Sequence, residues 1–165
     1  MSWPASNRSR VRRVRTCLAL ATLTVLVCPA AHAKVANCSA SATVVAFGTY
    51  TPLTTATSTG TISVACTGVS GSNSATAALS SGMSGTFTAR TMSNGTGGTL
   101  SYNLYTTAAD SVVWGDGTGG SQTQTLAING PPGNVTVNAT VYGLVPSQDP
   151  APGSYLDTIT VTVNY

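Results

Sequence analysis

The stretch "DTITVTVNY", residues 157–165, alternates without a break. Ile159, Val161, Val163 and Tyr165 fall on one side, and Thr158, Thr160, Thr162 and Asn164 on the other. A period of two over this length places one face of a β-strand against a core and is incompatible with a helix. The pattern recurs at "NVTVNATVY", where Val135, Val137, Ala139 and Val141 alternate with Thr136, Asn138 and Thr140. It recurs again at "TLSYNLY" (Leu100, Tyr102, Leu104) and "TISVAC" (Ile62, Val64, Cys66). Shorter strands are expected at "TVVAF", "ATAALS", "TFTAR", "SVVW" and "TLAI".

Between these runs lie turn-forming clusters: "SNGTGG", "GDGTGG", "NGPPGN" and "PSQDPAPG". Ser/Gly/Thr-rich patches near residues 67–74 and 93–99 read as loops within the domain. No glutamate is present and no 3.6-residue period is sustained. Many short strands separated by Gly/Pro turns predict an all-β fold, an antiparallel β-sandwich.

The first 33 residues read differently. Arg8, Arg10, Arg12, Arg13 and Arg15 precede the uncharged run "TCLALATLTVLVCPA" and the small-residue site "AHA". This is the arrangement of a secretory signal peptide, and the run is shorter than the ~20 residues a membrane span needs. Residues 1–33 are therefore expected to be a removed leader, and residues 34–165 a secreted domain. That domain keeps Lys34 and Arg90 against Asp110, Asp116, Asp149 and Asp157, a formal charge of −2. Without a basic patch, nucleic-acid binding is not expected. Cys38 and Cys66 remain, and two cysteines in an oxidising compartment most simply form one disulfide, contributing ~3–4 kcal/mol.

"VVWGDGTGG" matches the dinucleotide-binding pattern G-x-G-x-x-G at Gly115, Gly117 and Gly120. The pattern requires a helix whose N-terminus receives the pyrophosphate, and "SQTQTLAING" follows instead. A glycine-rich hairpin turn is expected there. Asp110 and Asp116 are too few carboxylates for calcium. With no histidine after residue 33 and no glutamate, neither a Ser-His-Asp nor a Cys-His arrangement can be assembled. No catalytic residue, cofactor or metal is expected. Arg90 reads as an anion ligand or, more simply, as a charge at a strand edge.

The motifs taken together resemble the spore coat protein U family, which includes the Csu-type subunits of archaic chaperone–usher pili. The resemblance runs through Cys38, "FGTY" (Phe47, Gly48, Tyr50), Cys66, and "RTM" from Arg90. It continues through "LSYNLY" (Tyr102, Asn103, Tyr105), "VWGDGTGG" (Trp114, Gly115, Asp116, Gly117) and "VYG" (Tyr142, Gly143). It ends with "PGSYLDTITVTVNY" (Gly153, Tyr155, Asp157). The resemblance implies an immunoglobulin-like sandwich lacking one strand, whose groove takes a strand first from a periplasmic chaperone and then from another pilin subunit. An outer-membrane usher is the further implied partner. Ile159, Val161, Val163 and Tyr165 are the candidate groove residues.

Polymerising relatives carry a long alternating donor segment before the first cysteine, whereas "KVAN" alone lies between the expected cleavage site and Cys38. Five pockets at alternate residues need ~9–10 residues of strand. The expected role is thus a subunit that accepts a strand without donating one, such as a tip, passing through the periplasm to the cell surface. The competing expectation is a free-standing secreted module that binds a glycan or surface, with Tyr50, Trp114, Tyr142 and Tyr155 supplying stacking.

Overall fold

A computed structural model describes residues 37–165, and the expected leader lies outside the described residues. Six strands form: β1 (Asn37–Ala42), β2 (Ala56–Leu79), β3 (Arg90–Ser93), β4 (Thr99–Tyr105), β5 (Gln124–Val145) and β6 (Val161–Asn164). They are hydrogen-bonded in the order β1-β2-β5-β4-β3, with β6 also on β2, and every pair is antiparallel.

The two long strands organise everything else. β2 and β5 remain paired from Ala56–Val145 to Ala77–Gln124, so each is a partner of the other over nearly its full length. Each joins two stretches that the sequence pattern separates. "TISVAC" and "ATAALS" both belong to β2, and "TLAI" and "NVTVNATVY" both belong to β5. Residues 67–74 and "NGPPGN", expected as loops, lie inside the strands. The ladder survives there because its register shifts between Cys66 and Val69 and again between Val69 and Gly71. Gly68 (φ 66°) and Gly71 (φ 74°) take the left-handed backbone such bulges use, which a side chain would oppose.

β1 pairs with β2 from Ala42–Ile62 to Asn37–Thr67, while β6 occupies the other half of the same edge, from Leu79–Val161 to Thr76–Asn164. Ahead of β6, Leu156 bridges Ser93 at the end of β3. Residues 156–164 thus run from the β3 edge to the β2 edge, and the sheet curls back on itself into an all-β, antiparallel sandwich. One apolar cluster fills it, drawing on Ile62, Val64 and Leu79 of β2, Ile128, Val141 and Val145 of β5, Leu100 and Leu104 of β4, and Trp114. The disulfide joins Cys38 of β1 to Cys66 of β2, residues directly opposite in the ladder.

Arg90 corrects an expectation. It is 0 % exposed, not a strand-edge charge. Its Nη1 donates to Asn103 Oδ1 (2.8 Å), its Nη2 to Ser80 O and Trp114 O (both 2.8 Å), and its Nε to Ser80 O (3.2 Å). The guanidinium also lies 5.4 Å from the centre of the Phe87 ring, within cation–π range. Burial lowers its pKa from the ordinary value, while Tyr102 and Asp157 act in the opposite sense. Three chain segments, which also meet through Trp114 N donating to Leu104 O (2.8 Å) and Leu79 N donating to Gly115 O (3.2 Å), are tied to one side chain. Trp114, wholly buried, adds an indole Nε1 bond to Ala77 O (3.0 Å).

The glycine-rich turn after Trp114 is closed by a parallel bridge between Trp114 and Gln122 rather than by an antiparallel hairpin. Asp116 Oδ1 accepts from Thr118 N (2.8 Å) and Thr118 Oγ1 (2.7 Å), and these bonds hold its carboxyl below the ordinary pKa. At Gly115 a Cβ would lie 2.2 Å from Ser121 Oγ, so the glycine is required by space. No helix receives a phosphate here.

Replacing Arg90 by Met leaves Ser80 O and Trp114 O without their side-chain donor inside the core, and leaves Asn103 Oδ1 with Leu104 N (2.9 Å) alone. The expected loss is ~3 kcal/mol or more, read as a lowered urea midpoint at unchanged slope.

Candidate functional site: an open apolar cleft

After β1 the chain leaves the sheet edge. Thr43 N still donates to Thr61 O (2.9 Å), and Thr61 N to Thr43 Oγ1 (2.8 Å). Residues 43–47, expected as a strand, instead pass across the face of β2 and β5, held further by Ser58 Oγ donating to Ala46 O (2.7 Å). Two glycines permit this crossing. A Cβ on Gly60 would lie 2.8 Å from Val45 Cγ2, and one on Gly143 would lie 2.7 Å from Val45 Cγ1 and 2.8 Å from Phe47 Cζ. Val45 and Phe47 are half-buried, and the Phe47 ring meets Tyr102 edge-on at 6.2 Å.

Opposite this segment runs the C-terminal chain, and between them lies a cleft of about 390 Å³. Ala42–Val45 and Phe47 form one wall, Tyr155–Ile159 and Val161 the other, and Ile62, Leu79, Met92, Leu104 and Val141 the floor. The cleft adjoins a second hollow of about 660 Å³ that shares Val45, Phe47, Tyr155 and Leu156 with it and ends among Tyr50, Pro52, Pro150 and Pro152. Val44 (83 % exposed) and Leu156 (74 % exposed) stand on facing rims, so the apolar character continues up both walls into solvent.

The backbone of both walls is open. Leu156 exchanges two hydrogen bonds with Ser93 (2.9 and 3.0 Å), and Ser80 N donates to Thr160 O (2.9 Å). Alternate residues of a strand bond to opposite sides. The N–H and C=O groups of Asp157, Ile159, Val161 and Val163 therefore face away from β2 and β3, and none of the described residues pairs with them. On the other wall, the Thr43–Thr61 bond assigns the odd residues of β1 to β2 and leaves Cys38, Ala40 and Ala42 facing outward.

Of the candidate groove residues, Ile159 and Val161 line the cleft and are half-buried. Val163 is half-buried beyond the cleft end, and Tyr165 is 56 % exposed. The regular strand is shorter than the alternation, since only residues 161–164 join the ladder. The half-buried/exposed alternation nevertheless persists from Tyr155 to Asn164.

The facing wall is missing from the candidate groove residues, and of it the sequence motifs single out only Phe47, in "FGTY". Asp157 also lines the cleft, with Oδ2 accepting from Tyr102 OH (2.6 Å) and Oδ1 from Met83 N (2.9 Å) and Thr158 N (2.7 Å). Burial, and then this hydrogen bond, push the Tyr102 phenol well above its ordinary value.

The remaining motif residues serve the frame. Tyr50 OH donates to Thr54 O (2.7 Å) and accepts from Gln148 N (2.9 Å), tying two loops together. Tyr155 OH donates to Ala151 O (2.6 Å). Gly48 (φ 68°) turns the chain after the crossing segment, and Gly153 lies against Asn94. Tyr105 and Tyr142 are half-buried partners in the β4–β5 ladder. The four aromatics proposed for stacking do not converge. Trp114 is inside the core, and of the others only Tyr50 and Tyr155 share a hollow. Among the described residues there is no group of three or more His, Cys, Asp or Glu able to hold a metal, and no helix long and apolar enough to cross a membrane.

The profile of the Spore Coat Protein U domain matches residues 20–162 of this chain. The chain belongs to the Spore Coat Protein U domain family. Among solved structures, one similar to this family member is the CsuC–CsuE chaperone–tip adhesion subunit pre-assembly complex from archaic chaperone–usher Csu pili of Acinetobacter baumannii. The identity is 22 % and the TM-score 0.48, over 78 % of this chain and 39 % of that chain. No curated protein matches the chain.

Two outcomes test the cleft. Gly143→Ala forces Val45 and Phe47 off their seat and is expected to cost ~1–3 kcal/mol, measured by urea unfolding. The raised Tyr102 pKa gives a second. A phenol whose folded value exceeds its unfolded one contributes stability that is intact below pH ~10 and is lost as pH rises above it. The melting temperature should fall between about pH 9 and pH 11, and Tyr102→Phe, though less stable at neutral pH, should fall less steeply.

Proposed function

We propose that this domain is a non-enzymatic, structural or adhesive subunit of a surface pilus assembled by the chaperone–usher route, and that the cleft accepts the strand the sandwich lacks. One observation carries this reading: an open apolar cleft is flanked by two backbone edges without partners among the described residues. An extended segment laid between them gains hydrogen bonds on both sides and drops alternate side chains onto the floor. This is β-strand addition, the mode for which chaperone–pilin complexes are a standing example. Each apolar side chain buried there contributes ~1.5–3 kcal/mol. The family and the CsuC–CsuE likeness agree with a periplasmic chaperone as the first occupant, followed by another pilin subunit at the usher.

The short interval between the expected leader and Cys38 supports an acceptor that does not donate, which suits a tip. The route is secretion to the periplasm and then to the cell surface. The second reading, a free-standing secreted module binding a glycan or surface, draws support from Tyr50 and Tyr155 at the outer end of the cleft.

The test is a thermal melt of the exported chain, alone and with a synthetic peptide of alternating apolar residues taken from a related pilin's donor segment. A peptide at a hundred times its Kd should raise Tm by about 10 °C, and the same peptide with serine at the apolar positions should not. A high Tm unmoved by either peptide means a closed sandwich and favours the free-standing module.

A further inference from the structure

β5 carries a second open edge, remote in register from the cleft. The odd residues of β2 between 61 and 67 bond toward β1, so its even residues bond to β5, where they meet Val135, Val137 and Ala139. The N–H and C=O groups of Asn134, Thr136, Asn138 and Thr140 consequently face away from β2. Farther along, Tyr142 and Leu144 present theirs on that same side and are taken up by β4. Before Tyr142, no described residue covers the edge. All four side chains are exposed. Pro131 and Pro132 end the run, but within residues 134–140 there is no proline and no charge. Exposed edges are ordinarily guarded by such residues, because an unguarded one pairs with any compatible strand.

We infer that this edge pairs antiparallel with the same edge of a second copy, about a two-fold axis at Val137. The pattern Asn-x-Thr-x-Asn-x-Thr is its own complement when reversed. Asn134 meets Thr140, Thr136 meets Asn138, and each such pair exchanges two backbone hydrogen bonds. Amide and hydroxyl side chains then lie opposite one another on the outer face, with no like charges in register. On the inner face Val135 meets Ala139, and Val137 meets its counterpart. Both valines are half-buried in the single molecule, so pairing extends the core. A one-residue slip would set the exposed polar side chains against this apolar face, which excludes it. The inference does not depend on the cleft.

The experiment uses the full exported chain in sedimentation equilibrium. The wild type should associate as a dimer. The double variants T136K/N138K and T136E/N138E, each checked for a native circular-dichroism spectrum, should each weaken the dimer about tenfold or more by placing like charges opposite one another. Mixing the two in equal amounts should restore association to at least the wild-type level. If either double variant does not fold, Thr136→Lys mixed with Asn138→Glu makes the same comparison with one opposed pair. A wild type that stays monomeric at its highest soluble concentration overturns the inference. So does association of equal strength in all samples, which would point to the apolar cleft instead.

Discussion

A buried guanidinium holds the sandwich in shape. Arg90 sits where the end of β2, the middle of β4 and the turn after Trp114 approach one another with only isolated backbone bonds between them, and its four N–H bonds go to neutral oxygens on those three segments. Bonds from a charged donor are about twice as strong as neutral ones, and in a dry core each is costly to leave unmade. The Trp114 indole repeats the device one step along β2. With these two side chains in place, the turn is locked beneath the sheet, and Leu79 and Leu104 are presented to the cleft as a fixed floor.

The cleft follows from what this frame leaves undone. One wall exists because Gly60 and Gly143 let residues 43–47 lie across the sheet instead of along it. The other exists because the C-terminal chain is held by Ser93 and Ser80 on one side only. A loop stops the sheet where β5 ends. β5 ends at Val145, before Pro146, which has no N–H to offer, and the Gln148 amide takes its place against Ser101, donating from Nε2 to Ser101 O (2.8 Å) and accepting from Ser101 N (2.9 Å). The sheet is thus closed at that end and open between Ala42 and Ile159.

Much of this was legible in the residues. The alternation at 157–165 identified one wall of the cleft, and "LSYNLY" and "TISVAC" identified central strands. The continuity of β2 and β5 was not legible, since "TGVSGSNS" and "NGPPGN" consist of turn-forming residues, and only long-range pairing shows that bulges carry the ladder through them. β1 was invisible for a different reason: in "NCSASA" the side chains are too small and too alike to register a buried face. Arg90 was misread because a lone cation in a strand carries no signal of its burial. That signal lies in Asn103, Ser80 and Trp114, which are neighbours only in space.

The burial of Arg90 also determines how the exterior behaves. It is the single cationic side chain among residues 37–165, and it is withdrawn from solvent. The exterior of the described domain therefore carries aspartates but no counter-charge, and contact between two such surfaces cannot be made by ion pairing. Cohesion has to come from backbone hydrogen bonds and apolar burial, neither of which depends on the Debye length of the medium. The charges that remain exposed are all of one sign and repel across such a contact, so two copies of this surface should associate more readily in brine, where that repulsion is screened, than in dilute fresh water.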